Sequence, residues 1–180
     1  MVPAPALLLH TPPSVMRYLF TLLLSLAFTV SNAQELVIPE VTYVSPSDYL
    51  DQREKVLEVI DYLQYSPANA EQETRKRATA FLIQWLEGSP AVSVTLEGFI
   101  TPFMAYGESL AIFLGGYTKY VLQTGGDNPD PVMANLAGTE RVVEYYLANQ
   151  SVYGPHKELD ELVKQWEKGR LRRWVERSLS

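Results

Sequence analysis

The side chains with the most chemical potential sit on two segments that read as helices. Gly115-Gly116-Tyr117-Thr118-Lys119-Tyr120, with Tyr106 one stretch upstream, places three phenols, a hydroxyl and an ammonium on an otherwise apolar run. A second segment offers Asn135, Gly138, Thr139, Glu140, Tyr145 and Tyr146. If the two face one another, they form one of two things. The commoner outcome is a structural network, in which tyrosines fill the core and keep their hydroxyls at its edge. The other is a ligand pocket with Tyr106, Tyr117, Thr118, Lys119, Tyr120, Asn135, Glu140 and Tyr145 as its polar groups. A Lys119–Glu140 pair between the two helices is the natural electrostatic expectation.

The remaining chemistry is narrowed by elimination. The chain has no cysteine and two histidines, of which only His156 lies outside the first 33 residues. Thiol nucleophiles and His- or Cys-rich metal sites are therefore excluded, and we expect no metal and no cofactor. A serine triad would have to use His156, which follows Gly154-Pro155 at a helix start, where it reads as a solvent-facing neighbour of the cap. No phosphate loop or dinucleotide fingerprint occurs. Asp127 and Asp130 could act as paired carboxylates in a hydrolase, but acids flanking Asn-Pro more often cap turns and helices. No catalytic residue is assigned. The basic run Lys164, Lys168, Arg170, Arg172, Arg173 and Arg177 is interleaved with Glu161, Glu167 and Glu176 and reads as a solvated face.

The elements that must carry these groups are mostly helical. Ser45-Pro46-Ser47-Asp48 opens the first helix with a capping box, and Tyr49, Leu50, Val56, Leu57, Ile60 and Leu63 follow at helical spacing. A second helix is expected over 69–87, capped by Asn69, with Glu71, Glu73, Arg75, Lys76 and Arg77 exposed and Ala78, Phe81, Leu82, Trp85 and Leu86 buried. Val92, Val94 and Leu96 alternate with polar residues, which suggests a short strand or an extended connection able to pair with the 36–44 arm. A third helix from Thr101-Pro102 is apolar nearly all round and so central; Gly115-Gly116 within it calls for a closely approaching neighbour. Asp130-Pro131 caps a fourth helix, with Val132, Leu136, Val143, Tyr146 and Leu147 inward. A fifth spans His156 to Lys168 with Trp166 buried, and a last one covers about 170–179. The fold class is all-α: an irregular bundle of about five or six helices with an extended N-terminal arm and room for one small β pair.

Residues 1–33 read as a secretory signal. Arg17 precedes the apolar run Tyr18 to Val30, and Ser31-Asn32-Ala33 supplies small residues before a cut at Gln34. The run is shorter than the about 20 residues a membrane span needs. Met16 makes an ordinary start, which leaves 1–15 upstream of it. The organisation is thus a signal over 1–33, an arm over 34–44, and a single helical domain over 45–180. The whole chain carries a net charge of −6; the leader holds one arginine and no acid, leaving 14 basic and 21 acidic residues and a net −7. Such a surface disfavours nucleic acid and anionic lipid. Without a cysteine after the signal there is no lipid attachment, and no stable membrane anchor is expected after cleavage.

Phe81-Leu82-x-x-Trp85-x-x-Gly88-Ser89-Pro90-x-Val92-x-Val94, Gly115-Gly116-Tyr117-Thr118-Lys119-Tyr120 and Asn135-Leu136-Ala137-Gly138-x-Glu140 together resemble small exported helical proteins of Bacteroidota-type bacteria. The resemblance implies export to the periplasm or exterior and carries no activity with it. The expectation is a non-catalytic binding or interaction module for a small ligand or protein partner. The alternatives are a hydrolase using loop carboxylates and tyrosines, and a structural subunit of an envelope assembly.

Overall fold

The computed structural model describes residues 36–94, 106–125 and 129–180, which all belong to one compact unit, Leu36–Ser180. The signal, Leu96 of the alternating segment, Thr101-Pro102 and Asp127 lie outside the described residues. Seven helices occur among the described residues: α1 Pro46–Asp51, α2 Arg53–Tyr65, α3 Gln72–Gly88, α4 Ser109–Thr124, α5 Pro131–Tyr153, α6 Lys157–Glu167 and α7 Leu171–Ser178. The protein is an all-α irregular bundle.

The start of the bundle is set by a carboxylate. Asp48 Oδ2 accepts the backbone N–H groups of Ser45 at 2.7 Å and Val44 at 2.8 Å, which holds its acid below the usual range. Ser45 and Asp48 form the capping box expected from the sequence, and the Ser45 hydroxyl also lies 2.8 Å from that of Ser47. The single first helix expected from the sequence is broken at Gln52, whose backbone leaves the helical region (φ −91°, ψ 1°). The cause is distant in sequence. Trp85 Nε1 donates to the Tyr49 carbonyl at 2.9 Å, the acceptor that an unbroken helix would offer to the Arg53 N–H. Leu50, expected to be inward, is consequently exposed.

Beyond the break, Val56, Val59, Ile60 and Leu63 give α2 one buried stripe, and Ser66 before Pro67 ends it in extended geometry. The helix α3 begins at Gln72, not at Asn69. Its N-cap is Glu71, a non-glycine residue in the left-handed region (φ 43°). Tyr62 donates to Glu71 at 3.1 Å and Gln72 Nε2 donates to the Ala68 carbonyl at 2.7 Å, which together fix this turn.

The central helix is α4, buried from Ala111 to Thr118 and again at Val121 and Leu122. Its principal partner is α5. The glycines make this pairing: a Cβ on Gly116 would lie 2.9 Å from the Ala137 carbonyl and the Gly138 Cα, and one on Gly138 would lie 2.7 Å from the Phe113 carbonyl. Gly115 faces the other way, onto Ile60 of α2. Asp130 caps α5 as the sequence indicates, accepting from Val132 N at 2.9 Å and Met133 N at 3.3 Å. The helix runs past residue 149 to Tyr153. Leu147, expected inward, is 42% exposed, and Trp166 on α6 is 40% exposed. The buried faces of α6 and α7 are Leu159 and Leu162, and Leu171 and Val175.

Residues 36–44 form neither helix nor strand, and neither do 92–94. Leu36 and Ile38 insert into the core, Arg77 Nη2 donates to the Ile38 carbonyl at 3.3 Å, and Tyr43 stacks on Tyr49 at 4.2 Å. Among the described residues, side-chain insertion and not strand pairing holds the arm, and the rest of the alternating segment lies outside them.

Candidate functional site

The eight polar residues singled out from the sequence do not form one site. Lys119 Nζ pairs with Asp61 of α2 and not with Glu140. Geometry dictates this: Lys119 lies one turn beyond Gly115, on the face turned to α2, where Asp61 follows Ile60. Glu140 remains half-buried on α5. Desolvation raises its carboxyl, the Glu144 charge four residues on adds to the rise, and Arg141 opposes it. Tyr117 donates to the Ser93 carbonyl at 3.2 Å, pinning the segment after α3, and burial raises its phenol. Tyr120 packs half-buried at the core margin. Asn135 Nδ2 turns back to the Pro131 carbonyl at 2.8 Å. The Thr118 hydroxyl and the Asn135 side-chain oxygen Oδ1 are buried without a hydrogen-bond partner among the described residues.

Tyr106 and Tyr145 do meet, in a polar and aromatic cluster at the other end of α5. Its centre is Arg75, which the charge pattern of α3 suggested would be exposed and which is fully buried. Arg75 continues the apolar stripe of Ala78, Leu82 and Trp85 at helical spacing, so the periodicity placed it inward although its type argued outward. All five of its N–H groups are engaged. Nε and Nη2 reach Glu108 Oε2, Nη2 also reaches the Leu63 carbonyl at 2.9 Å, and Nη1 reaches the Ser66 carbonyl at 3.0 Å and its hydroxyl at 2.5 Å. Two of those acceptors are orphan carbonyls at the C-terminal end of α2. The guanidinium carbon lies 5.9 Å from the centre of the Tyr145 ring.

Around this pair the tyrosines interlock. Tyr145 donates to Glu108 Oε2 at 3.3 Å and lies 3.5 Å, hydroxyl to hydroxyl, from Tyr153. Tyr106 sits edge-on to Tyr146 at 5.0 Å, to Tyr153 at 5.1 Å and to His156 at 5.6 Å. Tyr146 donates to Asp160 Oδ1 at 2.5 Å and accepts the His156 N–H at 2.9 Å. Burial, followed by the neighbouring Tyr146, Tyr153 and Asp160, pushes the Tyr106 phenol up to about 12. Tyr145 is raised further, by burial first, then by its bond to Tyr153 and the Glu108 charge, with Arg75 opposing. Both phenols are therefore neutral at physiological pH. His156 Nδ1 is buried with no hydrogen bond among the described residues; Glu158 Oε2 is 3.4 Å away. Among the described residues no hydroxyl is bonded to its ring.

Of the loop acids, Asp130 is engaged as the α5 cap. Among the described residues no three His, Asp or Glu side chains lie close enough to hold a metal ion, and no helix is long and apolar enough to cross a membrane.

Two open depressions stand apart from these closed clusters. One, of about 340 Å³, is lined by Leu50 and Arg53 at the α1–α2 break, Pro90 and Ala91 after α3, and Val121, Leu122 and Gly125 at the end of α4. Arg53 Nη2 reaches the Leu122 carbonyl at a long 3.4 Å. The second, of about 240 Å³, lies between α6 and α7 over Leu162 and Trp174, rimmed by Lys157, Glu158 and Glu161. The sequence reading missed both grooves. The first exists because Trp85 breaks the helix at Gln52, a contact between residues 36 apart that no local pattern encodes. No family model, curated protein or solved structure matches the chain.

Proposed function

We propose that the protein is exported and acts without catalysis, as a binding module that takes a small ligand in the groove between α1, α2 and α4. The leader pattern of Arg17, the apolar run and Ser31-Asn32-Ala33 supports export. One observation carries the binding reading. The largest polar clusters of the interior are closed on themselves, as in Arg75–Glu108 and Tyr146–Asp160, whereas the groove is concave, mostly apolar-walled and open.

Thermal denaturation against a panel of small molecules tests the binding half. A true ligand at 100 times its Kd stabilises by about 2.7 kcal/mol, on the order of 8 °C for a domain of this size. A flat response across the panel overturns it. For export, N-terminal sequencing of protein recovered from the medium or periplasm of an expressing bacterium should begin at Gln34; recovery from cytosol with the leader intact overturns that half.

A further inference from the structure

We infer that the groove selects an anionic ligand: a carboxylate carried on a short aliphatic chain, with its head against Arg53 and its tail on Leu50, Pro90, Ala91, Val121 and Leu122. This rests on the binding reading above and names its ligand class.

The argument begins with charge. The protein is acidic overall, yet among the described residues that line this groove none is acidic and the one ionised side chain is Arg53. Arg53 is half-buried at the groove wall. One of its N–H groups makes the long bond to the Leu122 carbonyl, and the other four have no partner among the described residues. A guanidinium with free donors in a planar fork matches a carboxylate better than any neutral group does. The C-terminal end of α4 offsets part of this charge, by about half a unit. Its last carbonyls are also claimed, Leu122 by Arg53 and Val121 by the Gly125 N–H. Arg53 therefore keeps part of its charge, and most of its donors, for a ligand.

The walls set the rest of the ligand. Five of the liners are aliphatic or proline, which fits a chain without hydrogen-bonding groups, since a polar one would lose its water without replacement. The volume of about 340 Å³ lies at the small end of ligand pockets, roughly 300–1,000 Å³. Phosphate or nucleotide groups would leave the apolar walls uncovered, and a bare hydrocarbon would leave Arg53 unused. The same chemistry occurs in a free fatty acid and at the C-terminus of an apolar peptide.

Isothermal titration of the protein recovered from the exporting host separates these sources and tests the site. The probes are octanoate and N-acetyl-valyl-leucine, each beside its neutral amide. At least one acid should bind, about ten-fold or more tighter than its amide, because a charge-assisted contact at Arg53 is worth at least that. Which acid binds identifies the source. Arg53→Gln should remove the preference of acid over amide. Leu50→Glu, at an exposed position, should also weaken the acid by placing a like charge at the mouth, with the fold checked by circular dichroism. The inference is overturned if acid and amide bind alike, if folded Arg53→Gln keeps the preference, or if neither acid binds at about 10 mM. Should the thermal panel then find another ligand, the binding reading survives and only the ligand class falls; a silent panel removes both.

Discussion

Two arginines in this protein do the same structural job in opposite surroundings. Arg75 and Arg53 each hold carbonyls at the C-terminal end of a helix, α2 and α4 respectively. Arg75 is fully buried, with every donor engaged and a carboxylate beside it. Arg53 is half-buried, makes one long bond, and borders an open groove. The difference separates a side chain that fixes the fold from one still able to meet something else. Saturation of donors, and not charge alone, is what distinguishes them.

The comparison is broken most directly at Arg75. Arg75→Ala should cost about 3–5 kcal/mol, because it leaves Glu108 without its counter-ion and the Leu63 and Ser66 carbonyls without a donor. Urea denaturation reads this, and a loss under about 1 kcal/mol would show that the cluster is not a clamp. Adding Glu108→Gln to Arg75→Met should recover part of the loss.

Next in size is the helix contact that brings both regions into register. Gly138→Ala should destabilise by about 2–3 kcal/mol despite the better helix propensity of Ala, since the new Cβ meets the Phe113 backbone carbonyl. Gly115→Ala should be much milder, as it meets only a side-chain methyl of Ile60 at 3.2 Å. Equal effects would mean that the α4–α5 approach is not backbone-limited.

A third test uses alkali. Tyr106 and Tyr145 have raised phenol pKa values in the fold, so both are neutral there when an unfolded chain would ionise them. Their stabilisation is complete below pH 10 and is lost as pH climbs from 10 toward 12, at about 1 kcal/mol per pH unit for each group. Tyr106→Phe should flatten that decline, since its hydroxyl makes only a 3.3 Å bond to the Gly154 carbonyl. A decline as steep as in the parent would show that Tyr106 does not titrate with unfolding. The smallest effect is expected at the other arginine: Arg53→Gln should change stability by less than about 1 kcal/mol, the value of one long, part-exposed bond. A loss comparable to that at Arg75 would erase the contrast.

What could be read from the sequence follows from how local each cause is. The Asp130 cap, the buried girth of α4 and the need for a neighbour at Gly115-Gly116 all arise within a few residues, and each is present in the fold. Arg75 was misplaced because its charge outweighed its position on the stripe. Lys119 was assigned to Glu140 because the facing helix depends on which glycine turns to which neighbour, and Gly115 and Gly116 point to different helices. The groove was invisible for the same reason as the break that creates it: the Trp85 indole acts on Tyr49 across the fold.

That indole has a further consequence for α1. The helix is six residues long and buries none of them, and isolated helices of that length do not persist in water. It stands because Trp85 grips the Tyr49 carbonyl, Tyr43 stacks on the Tyr49 ring, and that ring lies over Gly88, where any Cβ would collide with it. Amide protons of residues 49–52 should accordingly trade with deuterium well ahead of those in α4, and Trp85→Phe should hasten them further. One wall of the groove, at Leu50, is thus carried by a turn of helix that borrows its persistence from side chains on other elements.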